Sequence, residues 1–147
     1  MKKTFNLLIN SIFVLLLSSP KLTAGQCGFL KVWLFNSTKN TCYLLFAQVE
    51  NGILLNEPPE MLVPGQPKLF YLAQKDTYGP KLTVQYHCAE DIITITSKQN
   101  FCLFEGADIK GIVRDPIPKN IFVSYIIETG SFSEDRPGLI RWLFSDK

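Results

Sequence analysis

The chain has 147 residues, with 15 basic and 13 acidic side chains, one histidine and four cysteines. A formal charge of +2 over that length provides no basic stripe for nucleic acid. One histidine without a CxxC pair provides no ordinary zinc set, so neither a metal nor another cofactor is expected.

Residues 1–25 read as a secretory signal peptide. Lys2 and Lys3 precede an apolar run from Leu7 to Leu17, Pro20 breaks it, and small residues follow. The run is about 11 residues, short of the ~20 that span a bilayer. Lipidation of Cys27 would want a small residue before it, and Gln26 stands there. Cleavage after Gly25 is therefore the expectation, leaving one secreted, extracellular domain over residues 26–147. Losing Lys2, Lys3 and Lys21 leaves twelve basic residues against thirteen acidic, a net charge of −1.

Beyond the leader the apolar pattern has a period of two, punctuated by Gly, Pro and Asn. Strands are expected over 29–36, 41–49, 68–73, 82–88, 91–97, 101–104, 121–128 and 138–144. In LTVQYHC, Leu82, Val84, Tyr86 and Cys88 share one face, and Thr83, Gln85 and His87 the other. The prolines after the leader fall between these stretches, where a missing amide donor costs least. The pattern predicts an all-β, immunoglobulin-like antiparallel β-sandwich of about seven to nine strands.

Cys27, Cys42, Cys88 and Cys102 all lie in the secreted part, and an even number there reads as two disulfides. If 29–36 and 41–49 form a hairpin, Cys42 lies opposite Phe35 and Cys27 is roughly 26 Å further along, at ~3.3 Å per residue. A disulfide needs Cα atoms within about 7 Å. This spacing disfavours Cys27 with Cys42 and favours Cys42 with Cys88 and Cys27 with Cys102, without fixing the connectivity.

Asn36-Ser37-Thr38 is an N-glycosylation sequon in the predicted turn. Phe35, Phe46, Phe70 and Tyr86 read as core aromatics. Tyr78 in DTYGP and Phe132 in GSFSEDRPG stand among turn residues, as ligand contacts at the ends of a sandwich do. Residues 138–144 are apolar on both faces except at Arg141, which fits either a central strand or an edge through which the chain oligomerises. Glu90-Asp91 and Glu134-Asp135 read as solvated turn acids. His87 has no identifiable orienting partner, and no GxSxG, P-loop or Cys/His pair is present, so a non-enzymatic binding protein is expected, with an extracellular carrier or structural oligomer as the alternative and a hydrolase behind both.

KLFYLAQKDTYGPKLTVQYHCAEDIITI, IPKNIFVSYIIETGSF and KVWLFNST together resemble the nematode transthyretin-like family. They match its central strands ending in His and Cys, its later Glu-x-Gly-x-Phe stretch and its early Val-x-Leu-Trp strand. The family's opening Gly-x-Leu-x-Cys with a Lys-Pro spacer is compressed here, and Glu134, Asp135, Arg136 and Pro137 replace its Arg-Asp-Cys. The resemblance implies a secreted transthyretin-like sandwich from a nematode, binding an extracellular protein, a cell surface or a membrane lipid. The related hydroxyisourate hydrolases use several histidines and a Tyr-Arg-Gly-Ser terminus, whereas this chain has His87 alone and ends WLFSDK.

Overall fold

The computed structural model describes residues 25–103 and 106–147; the expected leader lies outside them except for Gly25. After a 3-10 turn at Gln26–Gly28 come β1 (Phe29–Asn36), β2 (Cys42–Asn51), β3 (Ile53–Leu54), β4 (Met61–Leu62) and β5 (Lys68–Ala73). They are followed by β6 (Lys81–Cys88), β7 (Asp91–Gln99), β8 (Ile109–Arg114), β9 (Ile121–Glu128) and β10 (Gly138–Asp146). Two five-stranded sheets result, ordered β3-β5-β1-β10-β9 and β4-β2-β6-β7-β8.

Alternation within each strand delivers one apolar row to the space between the sheets. Leu30, Val32, Leu34, Phe70, Leu72, Ile140, Trp142 and Phe144 come from the first sheet, and Leu82, Val84, Tyr86, Ile93 and Ile95 from the second. Fully burying side chains of this kind stabilises by about 1.5–3 kcal/mol each. The two polar tips in this core are satisfied. The Trp142 indole donates to Ser97 Oγ across the sheets at 2.9 Å, and the Tyr86 hydroxyl donates to the Pro59 carbonyl at 2.8 Å.

The all-β sandwich with two disulfides agrees with the sequence reading, with four differences inside it. First, β1 and β2 lie in different sheets, so the predicted hairpin does not form; the segment between them crosses the sandwich. Cys42 faces Cys88 on β6 instead of Phe35. The bonded pairs are Cys42–Cys88 and Cys27–Cys102, with Cα separations of 4.2 and 5.9 Å. The favoured connectivity is present although the hairpin used to reach it is not.

Second, residues 101–103 of the predicted FCLF strand are irregular, and Phe104 lies outside the described residues. The strand that completes this sheet is β8, which glycine obscures in the sequence. Gly111 is required there because a Cβ would stand 2.8 Å from the Trp142 ring and 2.9 Å from that of Tyr125. Third, β1 and β10 run parallel, so the sandwich is not wholly antiparallel. β10 is therefore interior, paired on both sides, and no longer available as the edge for oligomerisation. Fourth, β3 and β4 have two residues each, too short for periodicity to register, and bring the total to ten.

Asp91 is also not a solvated turn acid. It is buried at the start of β7, where its carboxylate accepts from the backbone amides of Lys119 and Asn120 at 2.9 and 2.7 Å. Burial alone would raise its pKa. The amides of Lys119, Asn120 and Ile121 outweigh that and hold the carboxyl below its usual value. A depressed folded pKa contributes stability that is complete above the unfolded carboxylate range near pH 4 and is lost as pH falls through the folded value. Thermal melts from pH 6 down to pH 2 are expected to show Asp91→Asn flattening part of the acid-side loss while lowering stability at pH 6.

Candidate functional site

The outer face of the β3-β5-β1-β10-β9 sheet carries a group of large apolar side chains. Inward alternation of Leu30, Val32 and Leu34 turns Lys31, Trp33 and Phe35 outward on β1. The register then builds rows across the sheet. Leu69, Trp33, Arg141 and Ile126 are successive neighbours, as are Phe35, Leu143 and Ser124, and Tyr71, Lys31, Leu139 and Glu128. Trp33 and Phe35 stack with centroids 5.5 Å apart. Lys31 Nζ lies 5.8 Å from the Tyr71 ring centroid, and Arg141 pairs with Glu128 at 2.6 Å. Leu69, Leu143, Phe122, Ile126 and Ile53 are exposed.

A broad sheet face with aromatic rings, and with Lys31 lying over one of them, suits a surface partner. The sequence reading assigned Phe35 to the core, and it lies on this face. Phe46 is also exposed, because a bulge between Leu44 and Phe46 shifts the register and puts Phe46 beside Gln85 on the outer face of the second sheet. Phe70 and Tyr86 are buried as expected. The signal for the aromatic face was present in KVWLFN: Trp33 and Phe35 alternate with Val32 and Leu34, and only one of these pairs can face inward.

Tyr78 and Phe132 sit at the same end of the sandwich, where β1 and β6 begin and β5 and β9 end. Tyr78 is 64% exposed and lines a shallow depression with Val49, Glu50, Asn51, Gly52, Lys75 and Asp76. There the Lys81 ammonium, hydrogen-bonded to Glu50, holds the Glu50 carboxyl below its usual range, against the opposing effect of burial. Thr83 Oγ also donates to Glu50, at 2.9 Å. Phe132 is partly exposed, and its carbonyl accepts from the Asp135 amide at 3.2 Å. Asp135 lines a second depression with Gln26, Phe29 and Gln74.

Asn36, the asparagine of the sequon, does not stand in an exposed turn. It is buried at the end of β1, and its amide nitrogen donates to the carbonyls of Asn40 and Leu62 at 2.8 and 2.7 Å. Its oxygen accepts from the Thr38 amide and hydroxyl at 3.0 and 2.8 Å. The sequon residues Asn36 and Thr38 fold onto one another as an Asx-type turn, and Leu62 ties that turn to the other sheet. His87 is exposed on the outer face of β6, between Tyr43 and Ile92 in register.

The fold and face define a two-sheet β-sandwich with an apolar outer surface. The chain matches no protein-family model and no curated relative. It is similar in structure to the lipid binding protein Nakanori, with a TM-score of 0.58 and 10% identity over 80% of this chain and 70% of that one. It is also similar to IP-1A from Alcaligenes faecalis, with a TM-score of 0.58 and 8% identity over 84% of this chain and 94% of that one. At these identities the likeness is one of fold.

Proposed function

We propose that this is a secreted, non-enzymatic binding protein that docks on a lipid surface through the outer face of the β3-β5-β1-β10-β9 sheet. The observation that carries this is the contiguous patch of Trp33, Phe35, Leu69, Tyr71 and Leu143 with Lys31 and Arg141 among them. Tryptophan and tyrosine fit the headgroup boundary of a bilayer, and long cations keep their charge in water while their stems lie on apolar surface. Two disulfides support an oxidising, extracellular setting, and the resemblance to nematode transthyretin-like proteins supports the same setting. A structural neighbour described as a lipid binding protein supports lipid as the ligand class. The exposed position of His87, flanked by Tyr43 and Ile92, supports binding over catalysis.

Co-sedimentation with phosphatidylcholine vesicles, with and without an anionic lipid, tests the reading. The chain has two tryptophans; Trp142 is fully buried, so a blue shift on binding reports Trp33. Trp33→Asp with Phe35→Asp is expected to weaken partitioning at least tenfold, since burying one large apolar side chain is worth about 1.5–3 kcal/mol and tenfold is about 1.4. Unchanged partitioning of this variant would reject the face as the docking surface.

A further inference from the structure

β9 ends its sheet in a way that natural sheets ordinarily avoid. Edge strands expose unpaired amides and carbonyls that template another strand, and they are commonly kept short, bulged, or guarded by lysine or proline. Ile121–Glu128 has eight residues, none of them lysine or proline, and pairs with β10 from Ile121 to Glu128 with no register shift. Among the described residues no strand pairs with its other side. Ile126 is 67% and Phe122 56% exposed, with Tyr125 and Ile127 at 40% each.

We propose that β9 pairs antiparallel with β9 of a second copy of this chain, about a two-fold axis through Ser124, joining two five-stranded sheets into one. The sequence of the strand selects that axis. Directly opposed residues must lie on the same face of the joined sheet, so the axis passes through a residue and not between two. Centred on Ser124, Phe122 faces the partner's Ile126, twice by symmetry, on the outer face, with the small Ser124 at the centre. On the other face Val123 meets the partner's Tyr125, and Ile121 the partner's Ile127. Glu128 falls opposite the partner's Asn120, with Lys119 next to it. Centred on Tyr125, Phe122 would face a carboxylate at Glu128, and two Tyr125 rings would meet, although Tyr125 already packs on Trp142 with centroids 4.9 Å apart. The Ser124 register sets every apolar residue of the strand opposite another apolar residue.

The fold holds β9 ready for this pairing. Asp91 on the opposite sheet binds the amides of Lys119 and Asn120 just before the strand, fixing where it begins. An isologous contact of this kind closes on itself and does not propagate into fibres. It also places Phe122 and Ile126 of both copies beside Leu143 and Arg141, so the apolar outer face continues across the axis.

The test uses the oxidised mature domain without lipid, so its outcome is independent of vesicle binding. Ser124→Cys is expected to form a symmetric interchain disulfide under mild oxidation, since opposed residues in an antiparallel pair have Cα atoms about 4.5–5.5 Å apart, within disulfide reach. Ile126→Cys, four residues from its own copy in that register, is expected to stay uncrosslinked. Sedimentation of the unmodified domain is expected to show a concentration-dependent dimer, and Ile126→Lys to weaken it at least tenfold with an unchanged melting temperature at concentrations where both are monomeric. A domain that stays monomeric up to millimolar concentration, with no Ser124→Cys crosslink, overturns the proposal. Crosslinking of Ile126→Cys in preference to Ser124→Cys overturns the register.

Discussion

Replacing Cys42 and Cys88 together with alanine is expected to lower the unfolding free energy by about 4 kcal/mol, read as a shift in the urea midpoint. The bond closes a sequence separation of 46 residues and lies in the main core with Leu62, Tyr86 and Leu34. Part of the loss comes from freeing the unfolded chain and part from the space that two buried sulfurs leave between the sheets. The second bond separates the two origins. Cys27–Cys102 spans 75 residues but belongs to a small satellite cluster with Ala107. If chain entropy dominates, its removal costs slightly more, because loop length enters logarithmically. If packing dominates, removal of Cys42–Cys88 costs more, and this is the expected order. An equal or larger loss on removing Cys27–Cys102 would overturn that ordering.

Asn36→Ala is expected to cost about 3 kcal/mol, because it removes the buried donor to the Leu62 carbonyl and the buried acceptor of the Thr38 amide, while the Thr38 hydroxyl and the Asn40 carbonyl keep each other. Asn36→Asp should be worse, since a carboxylate there would face two carbonyl oxygens with no proton to offer. Treatment of eukaryotically secreted protein with an N-glycosidase should leave its mass unchanged. A glycan at Asn36, or a loss below 1 kcal/mol for Asn36→Ala, would show that the turn is not held as described. The linkage matters for the whole fold because β1 and β2 lie in different sheets. Asn36 fastens the segment that crosses between them to β4 at Leu62.

Most of the strands could be located from the sequence because alternation is a local property. Leu82, Val84, Tyr86 and Cys88 have to share a face whatever β6 pairs with, and they do. β8 was hidden because its alternation passes through Gly111, a residue chosen for the room that the Trp142 ring needs, and that ring arrives from a strand 31 positions later. Phe46 was assigned to the wrong face because a single bulge reverses the alternation after Leu44, and nothing in CYLLFAQ marks where it falls. Asp91 and Asn36 were misplaced for a related reason. Polar residues in turns read as solvated or modifiable, and only the backbone groups of distant segments, at 119–120 and at 62, show that these two are bonded in the interior.

The sequence alone determined the all-β class and the presence of two disulfides, since a period-two pattern and an even cysteine content constrain the chain before any strand has found its neighbour. Only the tertiary structure decided which strands pair, and the proposed docking face rests on that pairing. It carried the chain from one sheet to the other after Asn36 and set β10 beside β1 in the sheet interior. It left β9 as the long edge and spread Trp33, Phe35, Leu69 and Leu143 over one continuous face. The physical reason is that a strand's own residues specify which side chains point together, whereas the identity of its neighbours depends on contacts between segments far apart in the chain.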